Sequence, residues 1–150
     1  MMPLTPKESS LLKDLHEQEK ICVEKYNKYA AQACDGQLRN LFTQIAQKET
    51  THMQTIEGLE NGQLPNMSAG EAQVNTSFTP GTCMPEQKQA DQYLCEDALA
   101  TEKHVSSAYN TCIFEFRDTA VRDALNHIQK EEQEHGDYIY KYMSQNGMYA

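Results

Sequence analysis

The chain is written twice. At an offset of 83 residues, Glu19 recurs as Glu102, Tyr26 as Tyr109, and the pair Glu49/His52 as Glu132/His135. Leu11/Leu94, Asp14/Asp97, Lys20/Lys103, Asn27/Asn110, Asp35/Asp118, Arg39/Arg122, Ile45/Ile128 and Ile56/Ile139 are identical at the same spacing. A duplication of this length restricts the fold, because whatever one half forms the other half forms too.

The period within each half is helical. Residues at 3,4 spacing give four stripes: Leu12, Leu15, Glu19, Cys22, Tyr26, Tyr29, Ala33; then Phe42, Ile45, Glu49, His52, Ile56, Leu59; then Cys95, Ala98, Glu102, Val105, Tyr109, Cys112, Phe116; then Val121, Leu125, Ile128, Glu132, His135, Ile139, Tyr142. Such spacing marks one buried face per helix. Each stripe is interrupted only by Glu or His, always at a repeat-matched position. No segment alternates apolar and polar residues as a half-buried strand would, so no sheet is expected.

Punctuation sets the boundaries. Thr5-Pro6-Lys7-Glu8 offers an N-cap, a proline at the first helical position and a capping-box Glu. The first helix should run to about Cys34, and Asp35 should cap a second that stops at Asn61-Gly62. Residues 63–84 carry Pro65, Gly70, Pro80 and Gly81 and form a connection. Pro85 opens a third helix reaching about Arg117, and Asp118 caps a fourth that ends at Asn146-Gly147. The expectation is one all-α domain over 1–150: hairpin 6–62, crossover 63–84 and hairpin 85–147. A helix of ~27 residues is ~40 Å long. About 22 extended residues reach ~75 Å, so the crossover can traverse the bundle.

Composition narrows the partners. A length of 150 residues suffices for one hydrophobic core. A net charge of −9 with no basic patch argues against nucleic acid. No apolar run approaches a membrane span, and Met1-Met2-Pro3-Leu4 does not begin a signal peptide, so the expected protein is soluble and cytoplasmic at synthesis. Cys22, Cys34, Cys83, Cys95 and Cys112 are odd in number and include no C-x-x-C pair. They read as reduced thiols, with Cys22 and Cys95 in core packing.

Four carboxylates and two imidazoles converging in a core demand compensation, since an unpaired buried carboxylate costs several kcal/mol. Two divalent cations would neutralise them. One Glu followed by Glu-x-x-His, twice over, is the ligand order of dinuclear carboxylate sites in ferritin-like four-helix bundles. The expected ligands are Glu19, Glu49, His52, Glu102, Glu132 and His135, with Glu49 and Glu132 bridging and Glu19 and Glu102 terminal. Iron suits this donor set best, and manganese and zinc are compatible with it. Tyr26 and Tyr109, two turns beyond Glu19 and Glu102, are expected to hydrogen-bond the ligand carboxylates from behind. Glu17, Glu24, Glu131 and Glu134 are not duplicated and fall outside the stripes, so they are expected on the solvated surface, as are His16, His104 and His127. Of the C-terminal tyrosines, Tyr142 belongs to the core stripe. Tyr138, Tyr140 and Tyr149, with Met143 and Met148, should cover the bundle end or form an association surface.

Several segments resemble a known family. Pro3-Leu4-Thr5-Pro6-Lys7-Glu8, Leu11-Leu12-Lys13-Asp14-Leu15, Glu19-Lys20, Lys25-Tyr26, Leu38-Arg39-Asn40-Leu41-Phe42, Ile45-Ala46-Gln47-Lys48-Glu49 and the ending Tyr142-Met143-Ser144-Gln145-Asn146-Gly147-Met148-Tyr149 are similar to the coat F family of bacterial spore coat proteins. The likeness spans both halves outside 63–84. It implies a ferritin-like bundle and a place at the spore coat of an endospore-forming bacterium, where self-association or contact with other coat proteins is expected. The site motif separately resembles rubrerythrin and bacterioferritin, with Tyr26 standing where bacterioferritins carry a Tyr. The cysteine module of rubrerythrin is missing. Three functions follow as expectations: a coat-type protein with a dinuclear metal site, a di-iron oxidase or peroxidase acting on O2 or peroxide, or a metal-free assembly module.

Overall fold

Each helix begins where the sequence supplies a side-chain acceptor or a proline. The computed structural model describes residues 1–67 and 73–149. Among them are four helices and no strand: α1 (Pro6–Gln32), α2 (Gly36–Glu60), α3 (Pro85–Ile113) and α4 (Thr119–Gln145). The Thr5 hydroxyl accepts from the Glu8 N–H at 3.1 Å, and the Glu8 carboxylate accepts from the Thr5 N–H at 2.9 Å, closing the capping box of α1. Asp35 accepts from Gln37 N at 3.0 Å and Asp118 from Ala120 N at 2.9 Å, one cap for each of α2 and α4. Gly62 and Gly147 close α2 and α4 with φ of 77° and 66°, a conformation that L side chains resist.

Two helix ends differ from the sequence expectation. The first helix stops at Gln32, short of Cys34, and the third stops at Ile113 rather than near Arg117. Beyond Ile113 the backbone tightens into three-residue bonds, from Glu115 N to Cys112 O and from Phe116 N to Ile113 O. This turn leaves Phe114 exposed and returns Phe116 to the core. Gly70 of the expected connection lies outside the described residues.

The short α1–α2 and α3–α4 turns make each hairpin antiparallel. The crossover delivers residues 79–83 to the bundle end that holds the α1–α2 turn. There Gln37 exchanges two hydrogen bonds with the Thr79 backbone, at 2.8 and 2.9 Å, and Gly81 N donates to Asn146 Oδ1 at 2.8 Å. Phe78 of the crossover packs edge-on against Tyr142, with ring centroids 5.5 Å apart. The result is a ferritin-like four-helix bundle. No helix among the described residues is long and apolar enough to cross a membrane.

Every residue of the four stripes is buried except Tyr29, which is partly so. The core divides into two apolar clusters. One contains Tyr26, Phe42, Ile45, Cys95, Ala98, Ile139 and Tyr142. The other contains Leu12, Leu15, Cys22, Ile56, Val105, Tyr109, Leu125 and Ile128. The Glu and His residues of the stripes occupy the level between them. At the C-terminal end Met143 and Met148 are buried with Tyr142. Tyr140 and Tyr149 are exposed, and their rings meet at 4.9 Å between centroids.

A second repeat-related device joins the hairpins. Glu8 and Asp91 are repeat mates with different side chains, and both are buried. Glu8 accepts from the N–H of Arg117 in the α3–α4 turn at 3.1 Å. Asp91 accepts from the N–H of Cys34 in the α1–α2 turn at 2.8 Å and from Asp35 N at 3.0 Å. Cys34 and Arg117 are themselves repeat mates. Each hairpin thus uses the first turns of its leading helix to satisfy the turn of the other. The Arg117 guanidinium, 3.1 Å away, holds Glu8 down at about 2.

Removing the Asp91 carboxylate strands two backbone donors in a part-buried turn. Asp91→Ala should destabilise the protein by about 1–3 kcal/mol. The check is the urea midpoint, which should fall without a change in slope; an unchanged midpoint would show that the latch adds nothing.

Candidate metal centre

Each helix brings its polar stripe positions to the middle level of the bundle: Glu19 on α1, Glu49 and His52 on α2, Glu102 on α3, Glu132 and His135 on α4. All six are at most 2% exposed. The i,i+3 spacing stacks Glu49 with His52 and Glu132 with His135 on their helix faces.

The imidazoles sit across the bundle from each other, with centroids 5.7 Å apart and planes 20° from parallel. His52 Nδ1 lies 2.8 Å from Glu132 Oε1, 3.4 Å from Glu49 Oε2 and 3.8 Å from Glu19 Oε2. His135 Nδ1 lies 2.9 Å from Glu49 Oε1, 3.4 Å from Glu102 Oε1 and 3.7 Å from Glu132 Oε2. Two overlapping groups result, each with its ligating atoms within 4.8 Å of one another: Glu19, Glu49, His52 and Glu132, and Glu49, Glu102, Glu132 and His135. Glu49 and Glu132 belong to both groups.

Tyr26 on α1 donates to Glu102 Oε1 at 2.5 Å, and Tyr109 on α3 donates to Glu19 Oε1 at 2.6 Å. Burial, with the surrounding carboxylates, pushes both hydroxyls well above their ordinary range, so they remain proton donors. Each tyrosine orients the carboxylate of the opposite hairpin and leaves its second oxygen free.

Those second oxygens decide whether a cation suits the site. Glu19 Oε2, Glu49 Oε2, Glu102 Oε2 and Glu132 Oε2 are all buried and lack a hydrogen-bond partner. Buried polar atoms are ordinarily satisfied. Four carboxylate oxygens, one from each helix, together with two imidazole nitrogens, form a hard oxygen–nitrogen donor set that fits two divalent ions.

Protons are the competing neutralisers. Burial pushes Glu19 well above the usual carboxylate range, and repulsion from Glu49 adds to the push. Burial pushes Glu102 up to about 8, helped by Glu132. Burial and repulsion from Glu102 act to raise Glu49, but its close contacts with Glu19, His135 and His52 outweigh them and hold that group at about 2. Burial disfavours charged imidazole at His52 and His135. The carboxylates prevail, chiefly Glu131 and Glu132 for His52 and Glu102 for His135, and raise both well above the ordinary value.

The expectation that Glu131 lies on the solvated surface is wrong. It is 5% exposed, and its Oε1 sits 3.0 Å from His52 Nε2, the ring nitrogen that faces away from the centre. Lys48 Nζ, its repeat mate, is 3.7 Å from the same carboxylate, and His127 Nε2 is 3.2 Å away. The buried stripe of α4 is two residues wide at Ala124-Leu125 and again, seven residues on, at Glu131-Glu132. A single-file 3,4 trace follows only one edge of such a stripe. Glu17 and Glu24 are exposed and Glu134 is partly so. His104 is exposed, while His16 is half-buried and bonded to Glu60 at 2.7 Å.

Two openings reach this level. A cavity of about 360 Å³ between α2, α4 and the crossover is lined by Lys48, Thr51, His52, His127, Glu131 and Val74. A groove of about 510 Å³ between α3 and α4 is lined by Leu99, Glu102, Ser106, Asn110, Glu132 and Gly136. Cys22 is buried, and its burial beside Glu49 and Glu19 pushes the thiol up, so it stays protonated and apolar in character.

Comparison with known proteins agrees with this architecture. No curated protein matches the sequence. A mycobacterial bacterioferritin is similar in structure, with a TM-score of 0.54 and 20% identity over 96% of this chain and 89% of that one. BfrA from M. tuberculosis is similar with a TM-score of 0.52 and 22% identity over 95% of this chain and 88% of that one. At such identities the likeness establishes the fold. Residues 90–150, which hold α4, most of α3 and with them Glu102, Glu132 and His135, match the Coat F domain family.

Proposed function

We propose that this chain is a spore coat-type protein of ferritin-like fold whose bundle holds two divalent metal ions, iron first among them. The single observation that carries the reading is the pair of overlapping buried Glu/His groups in which each of the four carboxylates keeps one oxygen without a hydrogen-bond partner. Glu19 and His52 would serve one ion, Glu102 and His135 the other, and Glu49 and Glu132 both. The Coat F match over 90–150 supports the spore-coat placement, and the bacterioferritin likeness supports the ferritin-like frame.

Bound as a pair, such ions supply Lewis acidity, and iron adds a one-electron couple toward O2 or peroxide. The protein's own part is orientation. Tyr26 and Tyr109 hold the terminal carboxylates from behind. Glu131 holds His52 through Nε2, directing Nδ1 inward, as carboxylates behind metal-bound histidines do. A second reading, a di-iron oxidase or peroxidase, is favoured by the groove that opens at Glu102 and Glu132, since a small oxidant could enter there.

Elemental analysis of purified protein tests the first reading, and it should find close to two metal equivalents per chain. Glu49→Ala or His135→Ala should lower that stoichiometry. Each should also abolish a metal-dependent rise in melting temperature of roughly 5–10 °C, the mass-action gain at about a hundredfold excess over Kd. Unchanged metal content in both variants would remove the ligand set. Peroxide consumption by iron-loaded protein would move the assignment to the second reading, and its absence would leave the structural one.

Glu131→Ala should keep the stoichiometry but weaken affinity by about 10–100-fold, while Glu134→Ala leaves both unchanged. Equal affinities in the wild type and Glu131→Ala would show that Glu131 does not support His52.

Ions must also displace the protons held by Glu19, Glu102 and the two imidazoles. Because these groups are raised, proton competition is strongest below neutrality and weakens as pH rises through about 8, the Glu102 value. Zinc affinity measured at pH 6, 7 and 8 should therefore tighten at each step, with proton release on binding. A flat profile would contradict the ligand assignment.

A further inference from the structure

At the bundle end opposite the chain's N-terminus, two cysteines distant in sequence lie side by side. Cys34 sits in the α1–α2 turn and Cys83 just ahead of α3, and their sulfurs are 2.6 Å apart. Both residues are partly exposed, whereas Cys22, Cys95 and Cys112 are buried.

The surroundings hold both segments in place. Asp91 accepts the N–H groups of Cys34 and Asp35, fixing the turn. The Asp35 carboxylate accepts from Tyr142 at 2.7 Å, and Arg39 bonds the Cys34 carbonyl. On the other side, Gly81 N is held by Asn146, and Thr79 by Gln37. A Cβ at residue 81 would come within 2.6 Å of Asp35 Oδ2, so a side chain there would displace the Asp35 carboxylate from this close approach. Two independent hydrogen-bonded frames therefore bring the thiols together before any bond joins them.

We infer that Cys34 and Cys83 form an oxidisable dithiol whose disulfide staples the end of the crossover to the α1–α2 turn. The co-reactant is a hydroperoxide, with hydrogen peroxide the simplest. Cys83 directs its thiol proton toward the Cys34 sulfur, and that neighbour pushes Cys83 up to about 11. Cys34, as thiolate, attacks the peroxide; the O–O bond breaks, the departing oxygen takes a proton and leaves as water, and Cys34 becomes a sulfenic acid. The Cys83 sulfur then attacks the Cys34 sulfur and expels a second water. Two thiols lose two protons and two electrons, and hydrogen peroxide gains them as two waters. The covalent loop spans residues 34–83, which includes all of α2 and the crossover. Closing a loop of this length restricts the unfolded chain strongly.

The experiment compares full-length protein before and after hydrogen peroxide, with a chelator present so that the metal centre plays no part. Denatured thiol titration should fall from five to three. Non-reducing peptide mapping should join Cys34 to Cys83 within one chain, and the melting temperature should rise by roughly 10 °C. Cys34→Ser and Cys83→Ser should each abolish the bond and the thermal gain. A titre that stays at five, a bond to a second copy of the chain, or a link through Cys22, Cys95 or Cys112 would overturn the inference.

Discussion

The middle of this bundle is buried and rich in ionisable groups, and the rest of the structure is arranged around that fact. Glu19, Glu49, Glu102 and Glu132 lie where an apolar helix face would put leucine, and all four are buried. Buried carboxylates are tolerated only when neutralised and hydrogen-bonded. Histidine, tyrosine and Glu131 supply the polar contacts, and protons or the proposed metal ions supply the countercharge. The two apolar clusters above and below isolate this layer and hold the helices at the spacing it requires.

Reciprocity between the hairpins is what makes the layer stable. Tyr26 of the first hairpin serves Glu102 of the second, and Tyr109 serves Glu19 in return. His52 meets Glu132, and His135 meets Glu49. Glu8 holds the turn at Arg117, and Asp91 holds the turn at Cys34. Neither hairpin alone satisfies its own polar groups. A duplicated sequence can build this arrangement economically, since one set of side chains placed twice completes itself across an approximate two-fold relation.

The symmetry is broken where the two copies have diverged. Glu131 backs His52, but its repeat mate is Lys48, which pairs with Glu131 instead of backing His135. The two sides of the centre therefore present different environments, one toward the crossover cavity and the other toward the α3–α4 groove. Divergence also hid two elements from the sequence. Glu8 and Asp91 differ in residue type, so the identity count at an offset of 83 passes over them. Glu131 lies on the second file of a stripe two residues wide. The early end of α3 at Ile113 was hidden for another reason: Phe114 and Phe116 continue an apolar run, with no glycine or proline before Asp118 to mark a stop.

What the sequence determined by itself was local and periodic: four helices, their caps, the antiparallel hairpins and the inward phase of six ligand-type side chains. Helical periodicity and capping depend on residues three or four apart, so they are written along the chain. Tertiary structure alone decided which carboxylate each tyrosine and histidine meets, that Asp91 closes a distant turn, and that Cys34 comes to rest beside Cys83. Those pairings join residues dozens of positions apart. They exist only because helix packing and the crossover bring particular ends together, and no short-range pattern encodes such an approach.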